Sequence, residues 1–535
     1  MENSRGVIDK AEHGNLLSQK SFRWRLKEAL QQNNDLAVVL LVAVNLALAL
    51  RFHFFIQGET SFFDDVFIYL HVAYNAIYHG TMQYYPISGR HALLASSPLK
   101  MLVFVLATYF LKIAGVVGHN LSSARSTIEI AVYLQFLMFL PIWRKAIKSY
   151  LVVSMIYFYY AAGLLGISEF ESGLVYFWVC SLLYLQSCLP GRRFLFSSFL
   201  VLGFLIRPEF ALIAALLYVV NAWLWEKGGG VIRTIGEFAA SGFLVFGVWG
   251  ILAIKYKVWP IPVTWWAKAA MPLLFDNHYM IRVFCERFAS VFFVDKPLLQ
   301  EHGIFGCFYV ACVAWMCYLA SKDKKTALTI ILLVVSCAIV LMSRMSANFW
   351  WYYHNMGMLI LAIVIMMILQ LARSVYWRSA FLAVLAGTMF LFFPAWGKNP
   401  DLPWDFSHSG LGRAPSYLYV VHHFQGGGRY AFDETGPIFI RMREIGIVAY
   451  FTGYGAWAWD SAGLAQPSSE FGMEKSALRF FYPKALRTGP EHDLDHLGRA
   501  GIYDVWAMDD ANFAEARKKC SIVIEQGYLC LNKYQ

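Results

Sequence analysis

The chain has 535 residues, of which 58% are hydrophobic and 15% charged, against roughly 25% charged in soluble domains, so an ordinary water-soluble globule is excluded. Its formal charge of +10 comes from short basic clusters scattered between apolar runs. That pattern fits membrane topology rather than a nucleic-acid surface, and no nucleic-acid partner is expected.

Residues 1–35 are polar and contain "SFRWRLKEALQQNN", which reads as an amphipathic cytoplasmic segment. It is no cleavable signal peptide, because the apolar run behind it is too long and lacks a small-residue cleavage site. That run, "LAVVLLVAVNLALALRFHFFI" (36–56), is long enough to cross a bilayer. It ends in "GETSFFDDVFIYLHVAYNAIYHG" (58–80), which sets Asp64 and Asp65 side by side at the membrane edge. The aromatic and apolar residues behind the pair recur at helical spacing, so a helix along the membrane surface is predicted inside an external loop 58–97.

Basic clusters at 144–148, 191–193, 226–233, 321–325 and 373–378 mark cytoplasmic turns. Apolar segments at 98–117, 127–143, 149–165, 173–189, 194–206, 209–225, 234–256, 304–320, 326–343, 353–372 and 378–396 alternate with them. Four further loops then fall outside: 166–173, 207–209, 259–280 and 343–355. With a cytoplasmic N-terminus, the segments 98–117, 127–143 and 149–165 cannot all cross between two external loops. One of them, 98–117 or a neighbour, is expected to lie shallow, leaving about 11 spans. The expected fold is thus an α-helical polytopic membrane domain (36–396) followed by a C-terminal extracytoplasmic α/β domain (397–535).

In that tail, alternation in "IGIVAYF" and "GIYDVWAM" predicts strands and "DDANFAEARKK" a helix. Of nine Cys, seven lie in or beside apolar segments, where a thiol acts as a small hydrophobe. Cys520 and Cys530 flank "SIVIEQGYL" and read either as a disulfide hairpin or as two unpaired thiols.

Two readings of the acid pair stand side by side. Asp64 as N-cap and Asp65 in the first turn would simply start a helix. Alternatively, acids at a membrane interface beside other charged loops form a site. The other external charges are Glu169 and Glu171, Arg207 and Glu209 on either side of Pro208, and Lys268 after Trp265 and Trp266. Snorkelling, capping and aromatic belts account for each one singly. "EHDLDH" (491–496) carries ligand-type residues without a distinctive spacing, reads as solvated charge, and gives no metal site.

The stretch "FFDDVFIYLHVAYNAIYHGTMQYYP", followed by "SSPLKMLVFVLA", resembles the first external loop of polytopic glycosyltransferases of the C superfamily. "SEFESGL" (168–174), "FLIRPEFALIAAL" (204–216), "PIPVTWWAK" (260–268), "FWWYYHNMGMLIL" (349–361) and "IGIVAYFTGYGAWAWDSAGLAQP" (445–467) follow in the family's order. Within the superfamily, the likeness is to arabinofuranosyltransferases of bacterial cell envelopes. The chain departs from the pattern with His71 and Tyr74 near the first motif, Val263 in place of Asn and His354 in place of Arg.

The resemblance implies a GT-C fold in the bacterial inner membrane with its site outside. It implies transfer of a sugar, D-arabinofuranose, from a polyprenyl-phosphate donor to a glycan or protein acceptor, without a cofactor or bound metal. Asp64 and Asp65 would be catalytic, and Lys268, Arg207 and His354 would hold the donor phosphate. Glu169, Glu171, Glu209, His71, Tyr74, Trp265 and Tyr353 would contact substrate. A related transferase with another donor or a lipid acceptor, a transporter or flippase, and a non-catalytic glycan-binding scaffold are the rival readings.

Overall fold

The computed structural model describes residues 35–54, 56–57, 64–84, 93–116, 118–144, 147–163, 171–188, 193–207, 211, 215, 218, 229–262, 264, 438–442, 446–452, 456–460, 502–507, 518, 520, 522–524 and 529–533. The first part is helical: α1 (Asp35–Phe54), α2 (Asp64–Tyr78), α3 (Pro98–Ile113), α4 (Leu121–Trp143), α5 (Ile147–Gly163), α6 (Ser172–Cys188), α7 (Arg193–Ile206) and α8 (Gly229–Lys255). Among the described residues, α1, α4 and residues Ile232–Lys255 of α8 are long and apolar enough to cross a bilayer. Phe54, Ile113, Ile232, Phe243 and Ile254 face outward, a surface suited to lipid and not to water.

Polar contacts fix the order and direction of these helices. His53 of α1 meets Glu129 of α4 at 2.7 Å, and the Tyr133 hydroxyl donates to Ala49 O, so α1 and α4 run antiparallel. Asn45 of α1 donates to Leu151 O of α5 across a dry interface, where such bonds act as glue. Trp143 Nε1 donates to Ser181 Oγ, Tyr176 to Val153 O, and Trp178 Nε1 to Phe199 O, which continues an up-down arrangement through α5, α6 and α7. α8 packs on α7 in the same sense, with Ser198 opposite Ser241 and Phe204 opposite Phe246. Gly203 lets α7 close on α6, because a Cβ there would strike the Trp178 ring.

This packing gives the bundle two chemically different ends. Arg144, Lys148, Arg193 and Arg233 stand at one end, at the close of α4 and the starts of α5, α7 and α8. Glu171, Arg207 and Lys255 stand at the other, together with α2. α3 stays entirely at this second end. Ser97, its N-cap, donates through Oγ to Leu205 O, Lys112 near its close donates to Ile77 O of α2, and Asn120 directly behind it caps α4. At 16 residues it is also shorter than the roughly 20 needed for a span. Of the three segments that could not all cross, 98–117 is therefore the shallow one. The apolar segments predicted between 304 and 396 lie outside the described residues.

The described C-terminal elements are α/β. β1 (Ile438–Met442), β2 (Ala456–Asp460), β3 (Ile502–Ala507), β4 (Ile522–Ile524) and β5 (Leu529–Lys533) form a sheet of order β2-β1-β3-β5-β4. β1 pairs in parallel with β2 and β3, and β5 antiparallel with β3 and β4. A correction concerns "IGIVAYF": it forms helix α9 (Gly446–Thr452), the crossover between the parallel strands β1 and β2. α9 packs on β2 on one side and on α2 on the other, so it is apolar all round and shows no amphipathic period. The strand predicted in "GIYDVWAM" is β3. Cys520 is disulfide-bonded, and Cys530 lies in β5, paired across from Val523 in β4. The helix predicted at 509–519 lies outside the described residues apart from Lys518.

The two-ended bundle predicts that Cys introduced at Arg193 and at Lys257 will react with a membrane-impermeant maleimide from opposite faces of sealed vesicles. Reaction of both from one face would overturn the packing.

Candidate functional site

At the Asp64 end the chain buries charge. Arg207 Nη2 lies 2.7 Å from Glu171 Oε2, with the side chains 4% and 2% exposed. The other carboxylate oxygen, Oε1, accepts from the Tyr69 hydroxyl at 2.5 Å and from Ser96 Oγ at 2.6 Å. Tyr69 in turn accepts from the Ser97 backbone N–H at 3.1 Å. Burial, and then the charge and hydrogen bond of Glu171, push the Tyr69 phenol well above its ordinary value, so it stays protonated and donates. Lys100, fully buried, places its Nζ 5.1 Å from the Tyr69 ring centre and 5.7 Å from that of Phe104. One carboxylate thus joins α2, the start of α3, the start of α6 and the end of α7.

Asp64 and Asp65 open α2, where the N-terminal dipole favours carboxylates. Asp65 is half-buried and stands one helical turn before Tyr69, so both lie on the same side of α2. The helix that the acid pair opens is therefore fixed, one turn on, through Tyr69 to Glu171 and Arg207. Its helix is held at the far end as well. Asn75 donates to Gln83 O at 2.9 Å, Met82 N to Tyr256 O and Gln83 Nε2 to Lys257 O, so the loop behind α2 satisfies carbonyls just beyond the end of α8.

The other predicted residues of α2 lie in its second half, where Tyr74 reaches the C-terminal part by way of His119. His71 is buried, its Nε2 3.2 Å from Tyr84 O and 3.3 Å from Asn75 Nδ2. The Tyr74 ring lies 3.7 Å from that of His119, and His119 meets Tyr450 of α9 at 5.3 Å. Phe67 contacts both Tyr450 and Phe451 at 5.5 Å. Burial lowers His71 to about 3, helped by the nearby His119 and His79 and opposed by the Tyr84 carbonyl. Burial lowers His119 to about 4 against a hydrogen bond to the Tyr450 backbone. Both imidazoles are neutral at pH 7.

The structure brings Glu171 and Arg207 together, joined to α2 through Tyr69, while Asp64 and Asp65 open that helix and His71 and Tyr74 lie further along it. Arg207 is engaged as the ion-pair partner of Glu171. Glu169, Glu209, Trp265, Trp266, Lys268, Tyr353, His354 and the segment 491–496 lie outside the described residues. Sequence reasoning missed Tyr69, Ser96, Lys100, His119 and Tyr450. Lys100 had a legible signal, a cation directly before the apolar run "MLVFVLATYFL". The two rings from 119 and 450 had none, since only folding brings them to Tyr74.

No family model matches the chain, and no curated protein matches it. Among solved structures it is similar to the crystal structure of the Archaeoglobus fulgidus oligosaccharyltransferase tethered with an acceptor peptide containing the NVT sequon via a disulfide bond. The TM-score is 0.43 and the identity 13%, over 88% of this chain and 69% of that one.

Two expectations follow from the geometry. Glu171→Gln leaves Arg207 as an uncompensated buried charge and should destabilise the fold by about 3–5 kcal/mol. The double variant Glu171→Gln/Arg207→Gln should lose less than the sum of the single changes, measured by chemical unfolding in detergent; strict additivity would deny the coupling. The buried histidines set a pH dependence. Their folded values lie below the unfolded value of about 6.5, so between about 4 and 6.5 the unfolded chain binds more protons. Stability should therefore rise with pH through that window, by about 1 kcal/mol per pH unit for each histidine. Unfolding midpoints from pH 4.5 to 7.5 check this, and His71→Gln/His119→Gln should flatten the slope.

Proposed function

We propose that the chain is a membrane glycosyltransferase that moves D-arabinofuranose from a polyprenyl-monophosphate donor to an envelope glycan or exported protein acceptor. The observation that supports this reading is the acid pair opening α2, a helix tied through Tyr69 to the buried Glu171–Arg207 pair. The order of motifs along residues 36–467 supports it as well.

Sugar transfer from such a donor develops positive charge at the anomeric carbon and needs a base for the acceptor hydroxyl, both tasks for carboxylates. One acid of the pair takes the proton, and its neighbour orients the acceptor or faces the cationic centre. The departing polyprenyl phosphate requires cations, and we assign Lys268 and His354 to it. Arg207, engaged with Glu171, helps hold the carboxylate that anchors Tyr69 of α2. Glu169, Glu209, Trp265 and Tyr353 line the groove in this reading, and no metal or cofactor takes part.

The end carrying Arg144, Arg193 and Arg233 faces the cytoplasm by the positive-inside bias, which sets α2 and the C-terminal elements on the outer face of an inner membrane. A transporter would instead be expected to carry ionisable residues near the bilayer midplane. The Glu171–Arg207 pair lies at one end of the bundle.

Asn matches Asp in size and in helix capping but has no proton affinity. Asp64→Asn or Asp65→Asn should therefore lower transfer of radiolabelled sugar from the polyprenyl donor by ~10²–10⁴-fold while the donor still binds. Wild-type turnover in both variants would remove the pair from the chemistry. Loss in one variant alone identifies the base.

A further inference from the structure

Several ties meet at one phenol on α2. The Tyr69 hydroxyl donates to Glu171 Oε1 at 2.5 Å and accepts from the Ser97 N–H at 3.1 Å. Its ring packs on Phe104 at 5.7 Å, with the Lys100 ammonium 5.1 Å from its centre. Tyr69 and Glu171 are both buried, so a substrate at the surface reaches neither. The same residue also closes a backbone bond to the acid pair. In an α-helix each N–H bonds to the carbonyl of the residue one turn earlier, so within α2 the Tyr69 N–H meets the Asp65 carbonyl. Glu171 is thereby joined to the backbone of Asp65 through one side chain and one helical hydrogen bond.

A helix start is otherwise prone to fray, because its first N–H groups have no carbonyl within the helix to bond. Val66, Phe67 and Leu70 are buried around this turn. Such apolar contacts hold the helix against its neighbours, but they set its rotation and height less sharply than a bond that requires a distance and an angle. Glu171 Oε1 also supplies a control. It accepts a second hydroxyl, from Ser96 at 2.6 Å, which stands ahead of α3 and not on α2. Losing either hydroxyl removes one bond from the same oxygen, and only the loss of Tyr69's releases α2.

Resting on the transferase reading, we propose that Tyr69 is a positioning residue for sugar transfer. Its bond to Glu171 sets the place of the first turn of α2, and so the place from which Asp64 or Asp65 takes the acceptor proton. Glu171 acts in the same way, as the anchor of that bond and not as a contact of the sugar. A reacting group displaced by about 1 Å loses on the order of 10²-fold in rate. Donor binding, assigned to Lys268 and His354, does not pass through Tyr69.

The test uses the full chain in nanodiscs with a radiolabelled polyprenyl-phosphate arabinose donor and an arabinofuranosyl oligosaccharide acceptor. Tyr69→Phe keeps the ring and loses the hydroxyl, and its kcat should fall about 10- to 100-fold. Donor KM and the pH optimum should stay unchanged, because the phenol transfers no proton. Ser96→Ala should cost far less in kcat, although both variants lose a comparable part of their thermal stability. Glu171→Asp keeps its charge against Arg207 and withdraws the carboxylate by one methylene. It should repeat the loss, and it decides the matter should Tyr69→Phe misfold. In whichever Asp→Asn variant has lost turnover, adding Tyr69→Phe should slow the residual rate no further. Amide exchange at Ile68 and Leu70, whose acceptors lie in the first turn of α2, should rise in Tyr69→Phe and not in Ser96→Ala. Wild-type kcat in Tyr69→Phe, equal losses in Tyr69→Phe and Ser96→Ala, or a multiplicative loss on top of the Asn variant overturns the positioning role and leaves the transferase standing. Wild-type turnover in both Asn variants overturns the transferase reading. Faster exchange in Tyr69→Phe then still places the hydroxyl as the tie at the start of α2, and unchanged exchange overturns that tie as well.

Discussion

The arrangement depends first on one buried ion pair. Removing a carboxylate and a guanidinium from water is costly, and their attraction offsets that cost only when the remaining hydrogen-bonding capacity is used. Here Glu171 spends one oxygen on Arg207 and the other on Tyr69 and Ser96. The donors belong to different elements, so satisfying a single carboxylate fixes where α2, the start of α3 and the end of α7 stand relative to α6. A short apolar contact would not impose the same geometry, because dispersion is non-directional while these bonds demand distance and angle.

With its first half pinned there, α2 becomes a rigid carrier for the acids at its start. Its other half is tied to the end of α8 through Met82 and Gln83, whose donors meet the Tyr256 and Lys257 carbonyls. Its remaining face is covered by α9, which arrives from the C-terminal sheet and buries Ile447, Val448, Ala449 and Tyr450 against it. The start of α2 and the sheet are therefore joined by direct packing through α9. Tyr450 meets the α2 helix through Phe67 directly and through His119, which packs on Tyr74.

The bundle itself follows the rules of packing in lipid, where apolar side chains gain little by leaving one hydrocarbon for another. Close approach and polar bonds between helices carry the association instead. Gly173 fits beneath Gln135 and Tyr157, Gly203 beneath Trp178, and Asn45, Tyr133, Trp143 and Tyr176 each bond across a helix interface. The outward residues of α1 and α8 are left to the bilayer.

Much of this was legible in the residues. Apolar runs of span length, basic clusters at alternate turns and two acids at the end of the first run mark a membrane protein with opposite charge gathered at different ends of its helices. Period and charge act locally, so one sequence reports them. The shallow path of 98–117 was narrowed by counting but decided by Ser97, Lys112 and Asn120, which anchor both ends of α3 to one face of the bundle. "IGIVAYF" read as a strand because a helix buried on two sides has no polar face to reveal its period. That Glu171 takes Arg207 and Tyr69, and that Tyr74 meets His119 and Tyr450, depends on contacts between residues distant in the chain. The sequence by itself determined which residues are too polar for lipid and near which end of the bundle they lie; only the tertiary structure decided which of them meet, because pairing is set by helix direction and close packing and neither is encoded in local spacing.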